Sequence, residues 1–156
     1  MHSVFVLCQN YPSEKDKYSM AFVHPRIKEY LKTGLDVKVI SFACNCSYIY
    51  DEVQVYTLQK GKELLRKSEK VILIAHAPNI KNHLFFILKT WKYLDRLILF
   101  FHGHEVLSTK KYYPRPYDFN KAAKREYRFL RLYDQIKLPV MRYYLKKFVA
   151  SGKLDV

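Results

Sequence analysis

Four short apolar runs, separated by segments with helical periodicity, constrain the fold of this chain more than any other feature. The runs cover residues 3–9, 35–42, 71–75 and 97–101, and each has the length of a single strand. Strands that are apolar almost throughout, alternating with helices, are typical of a parallel sheet covered on both faces. The alternation therefore predicts an α/β fold with an open, mainly parallel sheet flanked by helices.

The first two runs are joined by a predicted helix. From Met20 the apolar residues recur at helical spacing as far as Leu31, and Gly34 follows as the residue that ends the helix. A strand, a helix and a second strand that runs parallel to the first make a βαβ unit. Weaker patterns predict an edge strand at 53–58, a short helix at 60–67 and a longer helix at 80–94.

The segment 119–149 predicts two C-terminal helices, because Pro139 is suited to open a second helix rather than to continue the first. One side of the first helix is basic and comprises Lys121, Lys124, Arg125, Arg128 and Arg131. The opposite side is apolar and comprises Ala122, Phe129, Tyr133 and Ile136. We expect the basic side to contact a membrane or a phosphate group.

The charge of the chain is unevenly distributed. Lys and Arg number 28 against 14 Asp and Glu among the 156 residues, a formal net charge of +14. Residues 1–59 hold six basic and six acidic side chains, whereas residues 96–156 hold fourteen and five. Such asymmetry indicates an anionic partner: a phosphorylated substrate, a membrane of acidic lipids or nucleic acid. The length fits a single domain over residues 1–156, with no repeat or linker to divide it.

Three cysteines, Cys8, Cys44 and Cys46, form neither an even set nor the spacing of a zinc site. This usage suits a reducing cytoplasm. The start of the chain lacks the basic and apolar segments of a secretory signal, and no apolar run reaches the roughly 18 residues needed to cross a bilayer. We therefore expect a cytoplasmic protein whose membrane contact is peripheral.

Four histidines stand where a parallel sheet would gather them at its carboxyl edge: His24, His76, His102 and His104. Glu105 adds a carboxylate, so a metal site is one interpretation. His102 and His104 would point to opposite sides of an extended chain, however, and no spacing matches a metal motif, so we predict no metal. The glycine-rich loops that bind dinucleotides or nucleotide phosphates are absent from the sequence as well.

The loop around Arg115 is rich in tyrosine. Aromatic faces mixed with cations suit a sugar, a phosphate or a lipid headgroup, which makes Arg115 a candidate substrate-binding residue. The alternative is a loop packed by its own aromatic side chains.

Two stretches of the chain resemble the N-terminal domain of family-4 glycosyltransferases. The first comprises VFVL at 4–7, YPS at 11–13, YSMAFVH at 18–24 and LKTGLDVKVI at 31–40. The second, LFFHGHEV at 99–106, is similar to a strand of that domain and the His-Gly-x-Asp/Glu turn after it. The resemblance covers residues 1–107, and Met20 stands where members of the family often have glycine.

The resemblance implies the GT-B fold, in which two Rossmann-like domains face each other across a cleft. By this resemblance the chain would correspond to the first, acceptor-side domain. The second domain, which would bind the nucleotide-sugar and carry the paired glutamates of an E-x7-E motif, is expected to be absent from these 156 residues. The implied activity is that of a retaining hexosyltransferase with no further cofactor, and we expect one domain to be inactive by itself.

The resemblance also implies roles for individual residues. His102 would be the catalytic histidine at the cleft, where it would hydrogen-bond the donor sugar or stabilise developing charge. Gly103 would let the backbone approach the substrate closely. The other residues that it places beside the substrate are Asn10, Tyr11, His24 and Glu105. His76 and Arg115 are also expected to border the substrate, His76 from its position at the end of an apolar strand and Arg115 from its tyrosine-rich loop.

The expected partners are the C-terminal domain, a nucleotide-sugar and a glycolipid or polyprenyl-phosphate-linked acceptor. The expected setting is bacterial surface-polysaccharide or glycolipid synthesis at the inner face of the plasma membrane. The alternative from another class is a non-catalytic basic α/β module that binds nucleic acid, with steep dependence of affinity on salt. We favour the glycosyltransferase interpretation over nucleic-acid binding.

Overall fold

The computed structural model of this chain describes residues 2–113 and 121–155, and of residues 121–124 it describes the backbone alone. The strands are β1 (Ser3–Cys8), β2 (Asp36–Ser41), β3 (Tyr48–Tyr50), β4 (Val53–Tyr56), β5 (Val71–His76), β6 (Arg96–Phe100) and β7 (Leu154–Asp155). The α-helices are α1 (His24–Lys32), α2 (Leu58–Lys67), α3 (Phe85–Thr90), α4 (Thr109–Tyr112) and α5 (Lys121–Ala150). The described residues include no helix with the length and apolarity to cross a membrane.

One seven-stranded sheet has the order β3-β4-β2-β1-β5-β6-β7. Every neighbouring pair is parallel except β3 and β4. The predicted α/β fold with a mainly parallel sheet is therefore confirmed, and the arrangement is consistent with a Rossmann-like sheet. The strands β2, β3 and β4 lie on one side of β1, and β5, β6 and β7 lie on the other. The direction in which strands are added to the sheet therefore switches between the neighbours β1 and β5. In such sheets ligands bind at the carboxyl ends of the strands beside this switch in direction.

The strands at the centre of the sheet are buried because both of their faces are covered. In β1, Phe5, Val6 and Leu7 are completely inaccessible to solvent, as is Leu73 in β5. Burying a side chain of this size stabilises the fold by about 1.5–3 kcal/mol. This continuous burial explains why the apolar runs, rather than an alternating pattern, mark the strands.

The edge beyond β2 differs from the prediction. A strand was expected at 53–58 as the edge of the sheet, but β4 is covered by β3, which pairs with it in an antiparallel hairpin. Asp51 and Glu52 join the two strands and have φ values of 44° and 67°. Two consecutive positive φ values define the turn that matches the twist of a hairpin, although Asn and Gly are its usual residues. The sequence lacks this signal, so β3 was missed.

The helix predicted over 80–94 is divided into three parts. A π-helical turn (Ile80–Leu84) precedes α3, and a 3-10 turn (Trp91–Tyr93) follows it. The π turn contains a hydrogen bond from the Leu84 amide to the Asn79 carbonyl oxygen, 2.9 Å long and five residues apart. Its start is capped by the Asn79 side chain, which accepts from the Asn82 amide at 2.8 Å.

The prediction of two C-terminal helices was wrong: α5 is a single helix with Pro139 inside it. A proline in a helix loses one hydrogen bond and bends the helix, but strong helix formers on both sides keep the segment helical. The predicted apolar side also differs, because Phe129 and Ile136 are exposed, whereas Met141 and Phe148 are buried. The chain divides into two compact units, Met1–Phe100 with Lys153–Val156, and Phe101–Gly152.

Candidate functional site

In the first unit, β1 and β5 end side by side in a cluster of amide side chains. The Gln9 Oε1 atom accepts hydrogen bonds from Asn79 Nδ2 at 3.3 Å and from Asn82 Nδ2 at 2.8 Å. Gln9 follows β1 directly, and both asparagines lie after β5. The cluster therefore fixes the loop after β5 to the end of β1, at the point where open α/β sheets bind ligands.

The backbone beside this cluster is strained. Ala77, the first residue after β5, has a φ of 48°, which residues other than glycine seldom adopt. The conformation is held by a 2.9 Å hydrogen bond from the Ala77 amide to the Phe100 carbonyl oxygen. Left-handed residues of this kind, together with π-helical turns, occur often at functional sites. Both features follow β5.

Tyr11, His24 and Asp51 form a chain of hydrogen bonds. The Tyr11 hydroxyl lies 2.7 Å from His24 Nδ1, and His24 Nε2 lies 3.0 Å from Asp51 Oδ2. Burial raises the pKa of Tyr11, so its hydroxyl keeps its proton. With a neutral imidazole, that proton is donated to Nδ1 and the Nε2–H is donated to Asp51 Oδ2. The hydrogen bond from His24, followed by that from Lys28, holds the pKa of Asp51 below its usual range.

A groove of about 550 Å³ opens between the loop after β1 and the loop after β2. This size lies within the range of small-molecule sites. The side chains lining it include Asn10, Ser13, Ser19 and Asn45. Hydroxyl and amide groups both donate and accept hydrogen bonds, as the hydroxyl groups of a sugar require of their partners.

The wall of this groove is supported by Tyr48. Its hydroxyl shares its one proton between the carbonyl oxygens of Tyr11 and Pro12, at 3.1 and 3.0 Å. Burial raises the pKa of Tyr48 to about 12, which keeps the hydroxyl protonated and able to donate. The predicted substrate-binding residues Asn10 and Tyr11 thus lie on this groove. The sequence alone assigns them only to the loop after β1.

His76 and His83 are both completely buried in the first unit. The His76 ring stacks on Phe100 with 4.9 Å between ring centres, and the His83 ring meets Phe42 edge-on at 4.8 Å. Burial, followed by the proximity of His76, lowers the pKa of His83 to about 4. Both imidazoles therefore stand among aromatic rings. The role of His76 in substrate binding stays a prediction, and its side chain is closed to solvent.

In the second unit, the turn after β6 contains the predicted catalytic histidine. His102 is exposed, and its amide donates to Glu105 Oε2 at 2.9 Å, so Glu105 closes the turn. Gly103 has a φ of 109°, and a Cβ atom there would lie 2.6 Å from the Tyr113 hydroxyl oxygen. The positive φ favours glycine at this position. His104 stacks on Tyr113 with 4.0 Å between ring centres.

A buried ion pair supports this turn from α5. Lys137 Nζ lies 2.5 Å from Asp134 Oδ1 and also donates to the His104 carbonyl oxygen. Asp134 Oδ2 accepts from the Thr109 amide at 2.6 Å. Burial raises the pKa of Asp134, but the hydrogen bonds from Lys137 and Thr109 outweigh it and hold the pKa below its usual range.

Some of the remaining predicted site residues lie outside the described part of the chain. Arg115 lies outside the described residues, and so do the side chains of Lys121 and Lys124. Arg125, Arg128 and Arg131 are exposed on α5. Within residues 2–113 and 121–155, no group of three or more His, Cys, Asp or Glu side chains is placed to hold a metal ion.

Sequence reasoning missed Gln9, Asn79, Asn82 and His83. Asn79 could have been found as a helix N-cap, because asparagine just before a helical segment is a strong capping signal. Gln9 and Asn82 are recognisable only once β1 and β5 are known to be neighbours, and His83 only once its packing against Phe42 is known.

Comparison of the chain with models of protein families, with curated protein sequences and with solved structures finds no match. The class that the structure does define is an α/β protein with a mostly parallel, Rossmann-like sheet.

Proposed function

We propose that this chain is the acceptor-side domain of a GT-B glycosyltransferase that uses a nucleotide-sugar donor. The observation that carries the proposal is the groove at the carboxyl end of β1 and β2. Its lining combines hydroxyl and amide groups, including Asn10 and Ser19, with the charged Glu14, Lys15 and Asp16, and the hydroxyl and amide groups suit a sugar acceptor. The groove is formed by the loop that the family resemblance assigns to the acceptor.

The backbone of Met20 supports the same proposal. Met20 has a φ of 48° and a ψ of 36°, the left-handed conformation that glycine adopts without strain. Members of the family often have glycine at this position. A left-handed backbone here supports the proposal, because it is the conformation that a position usually occupied by glycine allows.

In the proposed reaction His102 stabilises charge that develops on the donor sugar, or orients one of its hydroxyl groups. It follows β6 by two residues, is exposed, and sits in a turn fixed by Glu105 and Gly103. Donor binding would come from the C-terminal domain, and the acceptor would be a glycolipid or a polyprenyl-phosphate-linked sugar. We place the reaction in the cytoplasm, at the inner face of the plasma membrane, in surface-polysaccharide or glycolipid synthesis. The three cysteines are free thiols, which suits that compartment.

The test is release of nucleoside diphosphate from a panel of nucleotide-sugars by the protein as its gene encodes it, with membrane lipids as acceptors. His102→Ala is expected to lower kcat by about 100-fold, because it removes one charge-stabilising group. Ser19→Trp, which fills the groove, is expected to raise KM for the acceptor and to leave KM for the donor unchanged. Lys67→Ala, at an exposed residue of α2, serves as the control. No release with any donor would reject the proposal.

A further inference from the structure

Large apolar side chains form a stripe on the outward side of α5, in the second unit. Phe129, Leu132, Ile136 and Tyr143 are 64%, 64%, 65% and 53% exposed. Successive spacings of three, four and seven residues place them on one side of the helix, over about 21 Å of its axis. An amphipathic helix of a globular protein usually turns such residues toward the core. We call these four residues the apolar stripe.

Exposed cations accompany the stripe along the helix. They are Arg125, Arg128, Arg131, Arg142, Lys146 and Lys147. The acidic side chains of α5 do not neutralise them, because it has only two and Asp134 is buried against Lys137. The outward side of α5 thus combines apolar area with an excess of positive charge.

A groove of about 720 Å³ lies beside the second half of the same helix. Leu138, Met141 and Leu145 give it an apolar lining, and Arg142 and Lys146 also line it. At about 100° per residue these apolar positions lie on the opposite side of α5 from the apolar stripe, so the groove takes no part in the docking surface.

We infer that the apolar stripe docks on the surface of a bilayer that contains anionic lipids. A helix lying in the interface buries its apolar side chains at the level of the acyl chains, while its Lys and Arg contact the phosphates. Nucleic acid would engage the cations but would leave Phe129 and Ile136 in water. The inference stands on α5 alone and does not depend on glycosyl transfer.

The first test is sedimentation of the protein with vesicles, in the absence of any nucleotide-sugar. One set contains phosphatidylcholine alone and the other equal parts of phosphatidylcholine and phosphatidylglycerol. We expect binding to the second set that weakens as salt is added. The pair Phe129→Ser and Ile136→Ser should weaken vesicle binding at least tenfold. The pair Arg128→Gln and Arg131→Gln should also weaken it at least tenfold, because each cation contributes about fivefold.

The matched control is the pair Ile49→Ser and Phe85→Ser, which removes two equally large exposed side chains from the first unit. This pair should leave vesicle binding unchanged. A second measurement does not depend on loss of binding. The tryptophan fluorescence of the Phe129→Trp variant should shift to shorter wavelength when anionic vesicles are added. Phe85→Trp should show no shift.

Three results would overturn the inference. One is absence of binding to anionic vesicles, and another is equal loss of binding in the control pair. The third is tight, salt-dependent binding of single-stranded RNA without vesicle binding, which would assign the cations to nucleic acid. Vesicle binding by a protein with no transferase activity would reject the proposed function and leave the docking surface standing.

Discussion

The hydroxyl of Tyr11 and Nδ1 of His24 are joined by a 2.7 Å hydrogen bond that ties the loop after β1 to the first turn of α1. Tyr11→Phe removes this bond and leaves a ring nitrogen of the half-buried His24 without its donor. We expect the free energy of unfolding in urea to fall by about 1 kcal/mol. Tyr18→Phe is the control, because Tyr18 is 91% exposed. Equal effects of the two changes would show that the hydrogen bond adds no stability.

The buried imidazole of His83 predicts a loss of stability in acid. Its pKa is lowered to about 4 in the folded chain from the ordinary 6.5, so the unfolded chain binds the proton more tightly. This contribution to stability is complete above the unfolded pKa and is lost as the pH falls toward the folded one. His83 alone should remove about 2 kcal/mol between about pH 7 and about pH 5.

His83→Leu should flatten that part of the pH dependence, measured as the free energy of unfolding in urea at each pH. His2→Leu, at an exposed histidine, should leave the profile unchanged. A His83→Leu profile as steep as that of the parent chain would contradict the prediction.

Gly61 lets α2 approach β2 closely. A Cβ atom on Gly61 would lie 2.5 Å from Cγ1 and 2.7 Å from Cδ1 of Ile40. Gly→Ala inside a helix ordinarily stabilises by about 1 kcal/mol, but overpacking of a core costs about 1–3 kcal/mol. We therefore expect Gly61→Ala to lower the free energy of unfolding by about 1 kcal/mol. In an Ile40→Ala background the same change should be neutral or stabilising, and Gln59→Ala is the control on the exposed side.

The buried pair of Asp134 and Lys137 predicts strong coupling between two substitutions. Lys137→Met leaves a buried carboxylate without its partner and should cost about 3 kcal/mol. Asp134→Asn keeps an acceptor for the Thr109 amide, so adding it to Lys137→Met should restore part of the loss. Urea unfolding gives the energies, and hydrogen exchange of the Thr109 amide reports on the turn.

An exposed pair with the same spacing provides the comparison. Lys60 Nζ and Glu63 Oε2 lie 3.9 Å apart, and both side chains are solvent-accessible. Lys60→Met should therefore lower the free energy of unfolding by no more than about 0.5 kcal/mol. If the two lysine substitutions cost the same, burial does not strengthen the inner pair.

The sheet could be predicted because burial on both faces leaves a strand almost no polar positions. The hairpin partner β3 could not be predicted, because Asp51 and Glu52 do not indicate positive φ values in a sequence as glycine or asparagine would. The continuity of α5 could not be predicted either, because Pro139 suits the start of a helix as well as a bend within one. Which side of α5 faces outward depends on tertiary packing. A stripe of apolar residues in a helical sequence predicts the side that faces the core, whereas in α5 the apolar stripe faces outward.

Part of the candidate site could be predicted as well. The family resemblance drew attention to Asn10 and Tyr11 in the loop after β1, whereas the groove they line also needs the loop after β2. The amide cluster depends on two segments about 70 residues apart in sequence, Gln9 and the asparagines after β5. No local pattern records a contact of that range.

The π-helical turn after β5 requires the segment that contains it to keep its present number of residues. A turn of this kind holds one residue more than an α-helical turn, so the residues before it and after it are out of phase by about 100°. Deleting one residue within 80–84 would make the helix regular, yet it would rotate Phe86 and Ile87 away from the core that now buries them. In this segment a substitution is therefore easier for the chain to accommodate than a change of length. Variation among related sequences should show the same preference.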